Sequence, residues 1–181
     1  MKVGIHQPNF FPHFGFFYKM SMCDKFVILS EVQFEKNGYQ NRYFLQGKQK
    51  WVTMPVNHGL EPIYKKFYTN NIHLETLNIS IIRNFKDILS IDCEIVEDVV
   101  SNSKGTDRLI HNLNHHGATD YVTNPGAKDK YLDEEAIRQA GINIVYSTHP
   151  NEKLNILEMF ELYGIEGTRN QLWKEKVNAV D

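Results

Sequence analysis

The stretch KVGIHQPNFFPHFGFFYKMSMCDKFVILS, residues 2–30, decides the fold because it holds a strand, a helix and a second strand in succession. Lys2 to His6 and Lys25 to Ser30 are short apolar runs without alternation, which is typical of strands buried on both faces. Between them, Phe16 to Cys23 has the apolar spacing of a helix. Since two parallel strands need a crossover connection of this kind, the stretch predicts a βαβ unit.

The rest of the chain predicts a hairpin followed by further helices and strands. Tyr43 to Leu45 and Trp51 to Val56 flank the sequence QGKQK, which predicts an antiparallel hairpin with Gly47 at its turn. Helices are predicted over His73 to Leu89, Thr106 to His116, Lys130 to Ala140 and Leu154 to Tyr163, and strands over Asp120 to Thr123 and Asn143 to Ser147. Thr106 is the predicted N-cap of its helix, and glycines that favour a helix stop follow three helices, at Gly117, Gly141 and Gly164.

Alternation of strands and helices at both ends of the chain predicts an α/β fold. We expect a three-layer Rossmann-like sheet, mainly parallel, with the hairpin added to it. The length of 181 residues and the absence of repeats or linker-like composition predict a single domain over residues 1–181. Ligands of such sheets bind beyond the carboxyl ends of the strands. This rule places residues 6–15, 30–42 and 147–150 on one rim.

Charge and cysteine content narrow the classes of function. The formal net charge of −2 gives no electrostatic footprint for a long nucleic-acid backbone, so duplex binding is not expected. The two cysteines, Cys23 and Cys93, predict buried thiols in a reducing compartment rather than a disulfide framework. No secretory signal or membrane-spanning apolar run is present, and the expected location is cytoplasmic.

Two polar loops on the predicted rim supply the candidate site residues. The first loop combines two prolines that restrict the backbone, Pro8 and Pro12, with four polar side chains, which are His6, Gln7, Asn9 and His13. The second, SEVQFEKNGYQNR at residues 30–42, offers Glu31, Gln33, Lys36, Asn37, Gln40, Asn41 and Arg42. A guanidinium group can bind a carboxylate or a phosphate, and amide groups can form hydrogen bonds with hydroxyls or base edges. A core-packing turn and a solvated loop are the structural alternatives for these two segments.

Other motifs give weaker evidence for a binding or metal site. His149 ends a predicted strand and is a candidate ligand-binding residue on the rim. His111 and His115 lie four apart on a predicted helix, but no third ligand is evident and a polar helix face is the preferred interpretation, so no metal site is assigned. The sequence has no G-x-S-x-G, Walker or G-x-G-x-x-G motif, and it identifies no cofactor.

The chain resembles the WbqC-like family. The resemblance lies in IHQPNFFPHFGFFYKMSMCDKFVILSEVQFEKNGYQNR and WVTMPV, and continues through TDYVTNPGAKDKYLDEEAIRQAGINIVY and LNILEMFELYG. It implies a link to bacterial surface-polysaccharide loci. Ser30 and Glu31 stand where the family commonly has two aspartates, which places a paired-acid mechanism in doubt. His13 and Gly15 are also similar to part of the H-x-G-H layout of class I nucleotidyltransferases, in which imidazoles contact phosphates, although Phe16 replaces the second histidine.

These observations predict a small transferase that modifies an activated or nucleotide-linked sugar, by acyl or aminoacyl transfer, for a surface polysaccharide. His6 or His13 would act as the general base and Glu31 would orient it, while Lys36 and Arg42 would hold phosphate or carboxylate. The remaining amides would orient the small-molecule substrate. The first alternative is a non-catalytic module that binds a nucleotide or glycan precursor for a partner enzyme. The second is an interaction protein that docks through the phenylalanines at positions 10, 11, 14, 16 and 17.

Overall fold

The computed structural model describes residues 1–30, 32–57, 68–69, 72–99 and 101–173. Its strands are β1 (Lys2–His6), β2 (Lys25–Ile28), β3 (Arg42–Leu45), β4 (Lys50–Thr53), β5 (Tyr68–Thr69), β6 (Ile72–His73), β7 (Glu94–Glu97), β8 (Asp120–Thr123) and β9 (Asn143–Tyr146). Its helices are α1 (Phe14–Ser21), α2 (Leu74–Ile88), α3 (Gly105–His115), α4 (Glu134–Gln139) and α5 (Ile156–Trp173). None of the helices in the described residues is long and apolar enough to cross a membrane.

The chain divides into two compact units. The first, here called the sheet unit, comprises the described residues of 1–7, 19–30 and 92–149. The second, here called the hairpin unit, comprises the described residues of 8–18, 31–91 and 150–181.

The sheet unit contains a five-stranded sheet in which every neighbouring pair is parallel. The strand order is β7-β2-β1-β8-β9, so the chain starts at the central strand, moves outward to one edge and then returns to build the other half. Gly4 is paired with Phe26 of β2 and Val3 with Tyr121 of β8. The point at which the winding reverses lies between β1 and β8, as in doubly wound folds. This sheet confirms the predicted mainly parallel α/β fold.

Helical segments cover both faces of this sheet. On one face, Leu109 and Leu113 of α3 and Ile137 of α4 pack in a core with residues of β1 and β8. On the other face, residues 19–23 lie against β1 and β2, with Lys19 Nζ 5.4 Å from the centroid of the Phe26 ring. Burial of these apolar side chains on both faces explains why β1 and β2 are non-alternating apolar runs.

The hairpin unit contains the predicted β3–β4 hairpin. Strands β3 and β4 pair antiparallel, with Tyr43 opposite Val52, and Gly47 lies in the turn between them. The unit also buries most of the phenylalanines of the first loop: Phe10, Phe14, Phe16 and Phe17 are each less than 5% exposed. These rings form part of a core, so the interpretation of the segment as an exposed aromatic docking patch is wrong.

The structure corrects three predicted helix boundaries. Helix α3 begins at Gly105 with Lys104 as its N-cap, and Thr106 Oγ1 instead donates to the Tyr131 carbonyl at 3.0 Å. Helix α4 begins only at Glu134, because the Asp133 side chain caps it by accepting from the Ala136 amide. Helix α5 reaches Trp173 only as a second helical segment, because Gly164, with a non-helical φ of 64°, breaks the helix at the predicted stop.

Two predicted glycine stops are confirmed. Gly117 and Gly141 follow α3 and α4 with φ values of 70° and 78°. After α3, the Ala118 amide donates to the Leu113 carbonyl at 2.9 Å, which is the closure expected when a glycine adopts the left-handed conformation. Strand β7, the fifth strand of the sheet, was not predicted from the sequence, and its Ile95 pairs with Phe26 of β2.

Candidate functional site

The carboxyl ends of the parallel strands form one edge of the sheet unit, here called the carboxyl edge. It consists of the residues that end or follow each strand, which are His6 and Gln7, Leu29 and Ser30, Asp98 and Val99, Thr123 and Asn124, and Ser147 to His149. In doubly wound sheets, ligands bind beyond this edge at the point where the winding reverses. Here that point lies between β1 and β8, which end at His6 and Thr123.

His6 stands at the end of β1 in a defined tautomeric state. Its side chain is partly exposed, and Nδ1 lies 2.8 Å from the carbonyl oxygen of Gln7. Since a carbonyl only accepts, Nδ1 carries the proton that it donates, and Nε2 of the neutral ring carries the lone pair. The role of His6 as a general base stays a prediction. Gln7, the next predicted site residue, is also partly exposed.

Asn124 lies across the reversal point from His6, and sequence reasoning did not identify it. The Ser147 hydroxyl donates to Asn124 Oδ1 at 3.1 Å, and the Ser147 amide donates to the Thr123 carbonyl at 2.8 Å. The side-chain nitrogen of Asn124 donates to no protein atom within the described residues. This geometry leaves two N–H donors for an oxygen atom of a ligand. The predicted His149 follows on the same loop and is 6% exposed.

A buried ion pair joins the ends of β2 and β7. The Asp98 side chain is fully buried and pairs with Arg108 of α3, while Asn112 Nδ2 donates to Asp98 Oδ1 at 2.8 Å. Arg108 also donates to the Ser30 carbonyl at 2.6 Å, and the Ser30 amide donates to Asp98 Oδ2 at 3.2 Å. This cluster therefore ties α3 to the ends of β2 and β7, although Arg108 Nε has no hydrogen-bond partner among the described residues.

Lys19 is a second residue that sequence reasoning missed. It is 3% exposed, and its Nζ donates to the carbonyl oxygen of Ile5 at 3.1 Å. Burial lowers the pKa of Lys19 to about 8, and the charge of nearby Cys23 partly opposes this change. Cys23 Sγ lies on the same side of the helical segment and donates to the Lys19 carbonyl at 3.1 Å.

In the hairpin unit, parts of the two predicted loops lie together. The Phe10 amide donates to the Tyr39 carbonyl at 2.8 Å. Asn78 of α2, which is fully buried, donates through Nδ2 to the Pro8 carbonyl at 3.0 Å and to the Gln40 carbonyl at 2.7 Å. Asn78 therefore links the first predicted loop to the second through hydrogen bonds, a role that no local sequence pattern indicated.

Two of the predicted amides of the second loop are engaged with backbone. Gln40 is fully buried, with Nε2 donating to the Gln33 carbonyl at 2.9 Å and Oε1 accepting from the Glu35 amide at 3.0 Å. Asn41 Nδ2 donates to the Met54 carbonyl at 2.9 Å. These bonds shape the loop, whereas the Gln33 side chain is exposed. Contact of these amides with a ligand stays a prediction.

Arg42 is bound to its own loop. Its guanidinium lies 3.8 Å from the centroid of the Trp51 ring and donates through Nε to the Gly38 carbonyl at 3.3 Å. Its terminal nitrogens donate to the side chain and carbonyl of Asn37. Lys36 and Asn37 are exposed. Since most donors of Arg42 are engaged, binding of a phosphate there would have to displace intramolecular bonds.

The first loop of the hairpin unit contains a strained residue and a buried carboxamide. Phe11 has a φ of 41°, which is unusual for a residue with a side chain, and Asn155 Nδ2 donates to its carbonyl at 2.7 Å. Asn9 is 3% exposed, and its Oδ1 accepts no hydrogen bond from the described residues. His13 forms an antiparallel bridge with Asn155, and its ring centroid lies 6.4 Å from that of Tyr39.

Two further predictions concern Glu31 and metal binding. Glu31, the predicted orienting carboxylate, lies outside the described residues. His111 and His115 are exposed on α3, and His115 forms an edge-to-face contact with His116 at 4.9 Å. Across the part of the chain that the structure describes, no group of three or more His, Cys, Asp or Glu residues is arranged to hold a metal ion.

Comparison with known proteins identifies relatives of the chain. Rv1507c of Mycobacterium tuberculosis, described as an uncharacterized protein, is 24% identical in an alignment 190 residues long that covers 80% of this chain and 81% of the relative. No solved structure matches the chain significantly. The model of the WbqC-like protein family matches residues 7–63 and 58–154. These two segments span most of the chain, which therefore belongs to the WbqC-like protein family.

Proposed function

We propose that the chain is a small cytoplasmic transferase that modifies an activated or nucleotide-linked sugar for a bacterial surface polysaccharide. The observation that carries the proposal is the placement of His6 and Asn124 at the ends of β1 and β8, where the winding of the sheet reverses. The pathway follows from the resemblance to WbqC-like proteins. The substrate in this proposal is a phosphate-bearing small molecule, and the reaction is acyl or aminoacyl transfer.

His6 is the general base of the proposed reaction. Its Nδ1–H is held by the Gln7 carbonyl at 2.8 Å, so Nε2 is the atom that accepts a proton from the attacking hydroxyl or amine. The nucleophile then bonds to the acyl carbon of the donor, and the bond to the donor's leaving group breaks. The two N–H groups of Asn124 are suited to donate to a sugar or carbonyl oxygen during this step.

A ligand screen with product analysis tests the proposal. The parent protein is incubated with nucleotides, nucleotide-linked sugars and acyl donors, thermal shifts are measured, and the mixtures are analysed by mass spectrometry. His6→Gln is expected to keep ligand binding and lose product formation by at least 100-fold, since general-base groups contribute about 10²–10⁴-fold. His111→Gln is the matched control because His111 is an exposed imidazole on α3. Equal turnover by His6→Gln and the parent contradicts the assignment of the base.

A non-catalytic binding module is the second candidate function. It is favoured by the absence of any G-x-S-x-G, Walker or G-x-G-x-x-G motif from the sequence. In that case the chain would hold a nucleotide or glycan precursor for a partner enzyme. A stabilising ligand without any new product mass supports the module, and a new product mass supports the transferase.

A further inference from the structure

Lys19 is a buried cation that lacks an anionic partner. The residue is 3% exposed, and its Nζ donates to one neutral acceptor, the Ile5 carbonyl at 3.1 Å. Nζ also lies 5.4 Å from the centroid of the Phe26 ring, and no carboxylate of the described residues is within 4.0 Å of it. An ammonium group has three donors, so its charge and most of its hydrogen-bonding capacity are uncompensated here.

This arrangement is costly for folding. Burial without a counter-charge disfavours the ammonium form, which is why the pKa of Lys19 falls to about 8. A methionine has a similar length and would fill the same space without the cost of removing a charge from water. Buried ionisable groups of this kind are concentrated at functional sites, where a bound ligand supplies the missing counter-charge.

The position of Lys19 connects it to the carboxyl edge. Its partner, the Ile5 carbonyl, is one residue before the end of β1, which is about 3.3 Å of strand rise. Gly4 faces Cys23 and Phe26 on this side of the sheet, and His6 faces the same side because strand residues alternate. By alternation and register, the titratable strand residues on this side are Lys2 and His6 of β1, Glu97 of β7 and Asp120 of β8. The helical segment adds Cys23, and β2 contributes only Phe26 and Ile28.

We propose that Lys19 is the cation with which the carboxyl edge binds the phosphate group of its ligand. The inference rests on the proposed function and deepens it, since it names the charged group that recognises a phosphate-bearing substrate. The lysine side chain is flexible, and the Ile5 carbonyl to which its Nζ donates is one residue from the end of β1. The ligand phosphate then supplies the missing counter-charge.

Proton uptake is the signature of this ion pair. At pH 8.5 to 9 much of Lys19 is neutral before binding, because its pKa is about 8. A phosphate beside Nζ favours the charged form, so each bound phosphate is accompanied by uptake of part of a proton from the solution. A structural lysine that does not touch the ligand would show no such uptake.

The experiment uses UDP, inorganic phosphate and uridine as probes with the full chain. Binding is measured by calorimetry at pH 8.5 in buffers of different ionisation enthalpy, and Lys19 is followed by NMR of its Cε group. The expected results are that UDP binds with proton uptake and shifts the Lys19 titration upward, whereas uridine does neither. Inorganic phosphate that reproduces the shift at millimolar concentration identifies the phosphate rather than the nucleoside as the recognised group.

Three variants make the test specific. Lys19→Met is expected to bind UDP at least 10-fold more weakly while melting at the same or a higher temperature, so the loss cannot be attributed to unfolding. Lys19→Arg keeps the charge and is expected to restore part of the affinity. Lys25→Met, at the opposite end of β2, is the matched control and is expected to bind as the parent does.

The outcomes separate this inference from the proposed function. If UDP perturbs His6 and Asn124 but leaves the Lys19 titration and the proton balance unchanged, the assignment of Lys19 is overturned and the site itself stands. If neither UDP nor phosphate binds at all, both the assignment of Lys19 and the proposal of a phosphate-bearing substrate are overturned.

Discussion

A side-chain carbon on Gly4 would lie 2.7 Å from Cys23 Sγ and 2.9 Å from the Phe26 ring. Glycine at this position therefore lets residues 19–23 approach the middle of β1. We predict that Gly4→Ala lowers the free energy of unfolding by about 1–3 kcal/mol, because an added methyl group forces buried neighbours apart. Urea denaturation measures the change.

Gly126→Ala is the matched control for Gly4→Ala. A side-chain carbon at Gly126 meets no atom within 4 Å, so this substitution is expected to change stability by less than about 0.5 kcal/mol. Equal stability of the two variants would contradict the close packing of the helical segment on β1. Partial recovery of stability in the double variant Gly4→Ala, Cys23→Ala would locate the clash at the thiol.

The buried pair of Asp98 and Arg108 gives the second prediction. Asp98→Ala leaves the Arg108 side chain, which is 18% exposed, without its anionic partner. Breaking such a buried pair lowers the free energy of unfolding by about 3–5 kcal/mol. The exposed pair of Glu166 and Arg169 is the comparison, because the Glu166 side chain is 78% exposed. Glu166→Ala should cost at most about 1 kcal/mol in the same urea experiment. Similar losses in both variants would show that Asp98 does not fix the carboxyl edge.

The third prediction is a dependence of stability on pH that comes from Lys19. Its pKa falls from the ordinary 10.5 to about 8 in the folded chain, so the unfolded chain binds more protons between these two values. The contribution of Lys19 to the free energy of unfolding therefore rises as the pH increases from 8 to 10.5. Below pH 8, the full destabilising effect of burying its charge is present. The difference corresponds to roughly 3 kcal/mol at neutral pH.

Lys19→Met removes that penalty. The variant should be more stable than the parent at pH 7, and the gap should narrow as the pH rises toward 10.5. Chemical denaturation at several pH values compares the two proteins, with Lys25→Met as a control that keeps the slope of the parent. A parent whose stability is flat or falls between pH 8 and 10 relative to Lys19→Met would refute the burial of an uncompensated amine.

Asn78 supplies a fourth prediction, for the hairpin unit. Its Nδ2 donates to the carbonyls of Pro8 and Gln40, so Asn78→Ala leaves two buried acceptors without this donor. We expect a loss of about 1–3 kcal/mol and faster hydrogen exchange of the Phe10 amide, which bonds to Tyr39. Asn84→Ala on the exposed side of α2 is the control and should leave that exchange rate unchanged.

Much of the sheet was predictable because its strands are buried on both faces. Such strands form uninterrupted apolar runs, as at Lys25–Ile28, and the strand at Asp120–Thr123 was located without error. The edge strand Glu94–Glu97 was missed because its four residues include two acidic ones and pairing with β2 provides its stability. The helix that ends at Trp173 was predicted to stop at Gly164, since a local stop signal cannot show that the chain resumes a helical path after one residue.

The candidate site was predictable only where the strand ends indicate it. His6 follows directly from the rule that ligands bind beyond parallel strands. Lys19 was missed because a lysine in a helix ordinarily faces water, and its burial depends on packing against β1. The hydrogen bonds of Arg42 to Asn37 and Gly38 could not be predicted from the sequence either, because a polar loop contains many possible partners and the folded backbone decides which of them lie within reach.

The most direct test of a ligand site at the carboxyl edge is an NMR map of ligand contacts on the sheet unit. The protein is titrated with the compound that stabilises it most in the thermal screen, and shifts of the His6 ring and of the Asn124 side-chain amide are followed. If the ligand binds at the carboxyl edge, these two groups shift first and saturate with the same dissociation constant. Shifts confined to the opposite end of the strands, at Lys2, Lys25 and Asp120, would contradict a ligand site at the carboxyl edge.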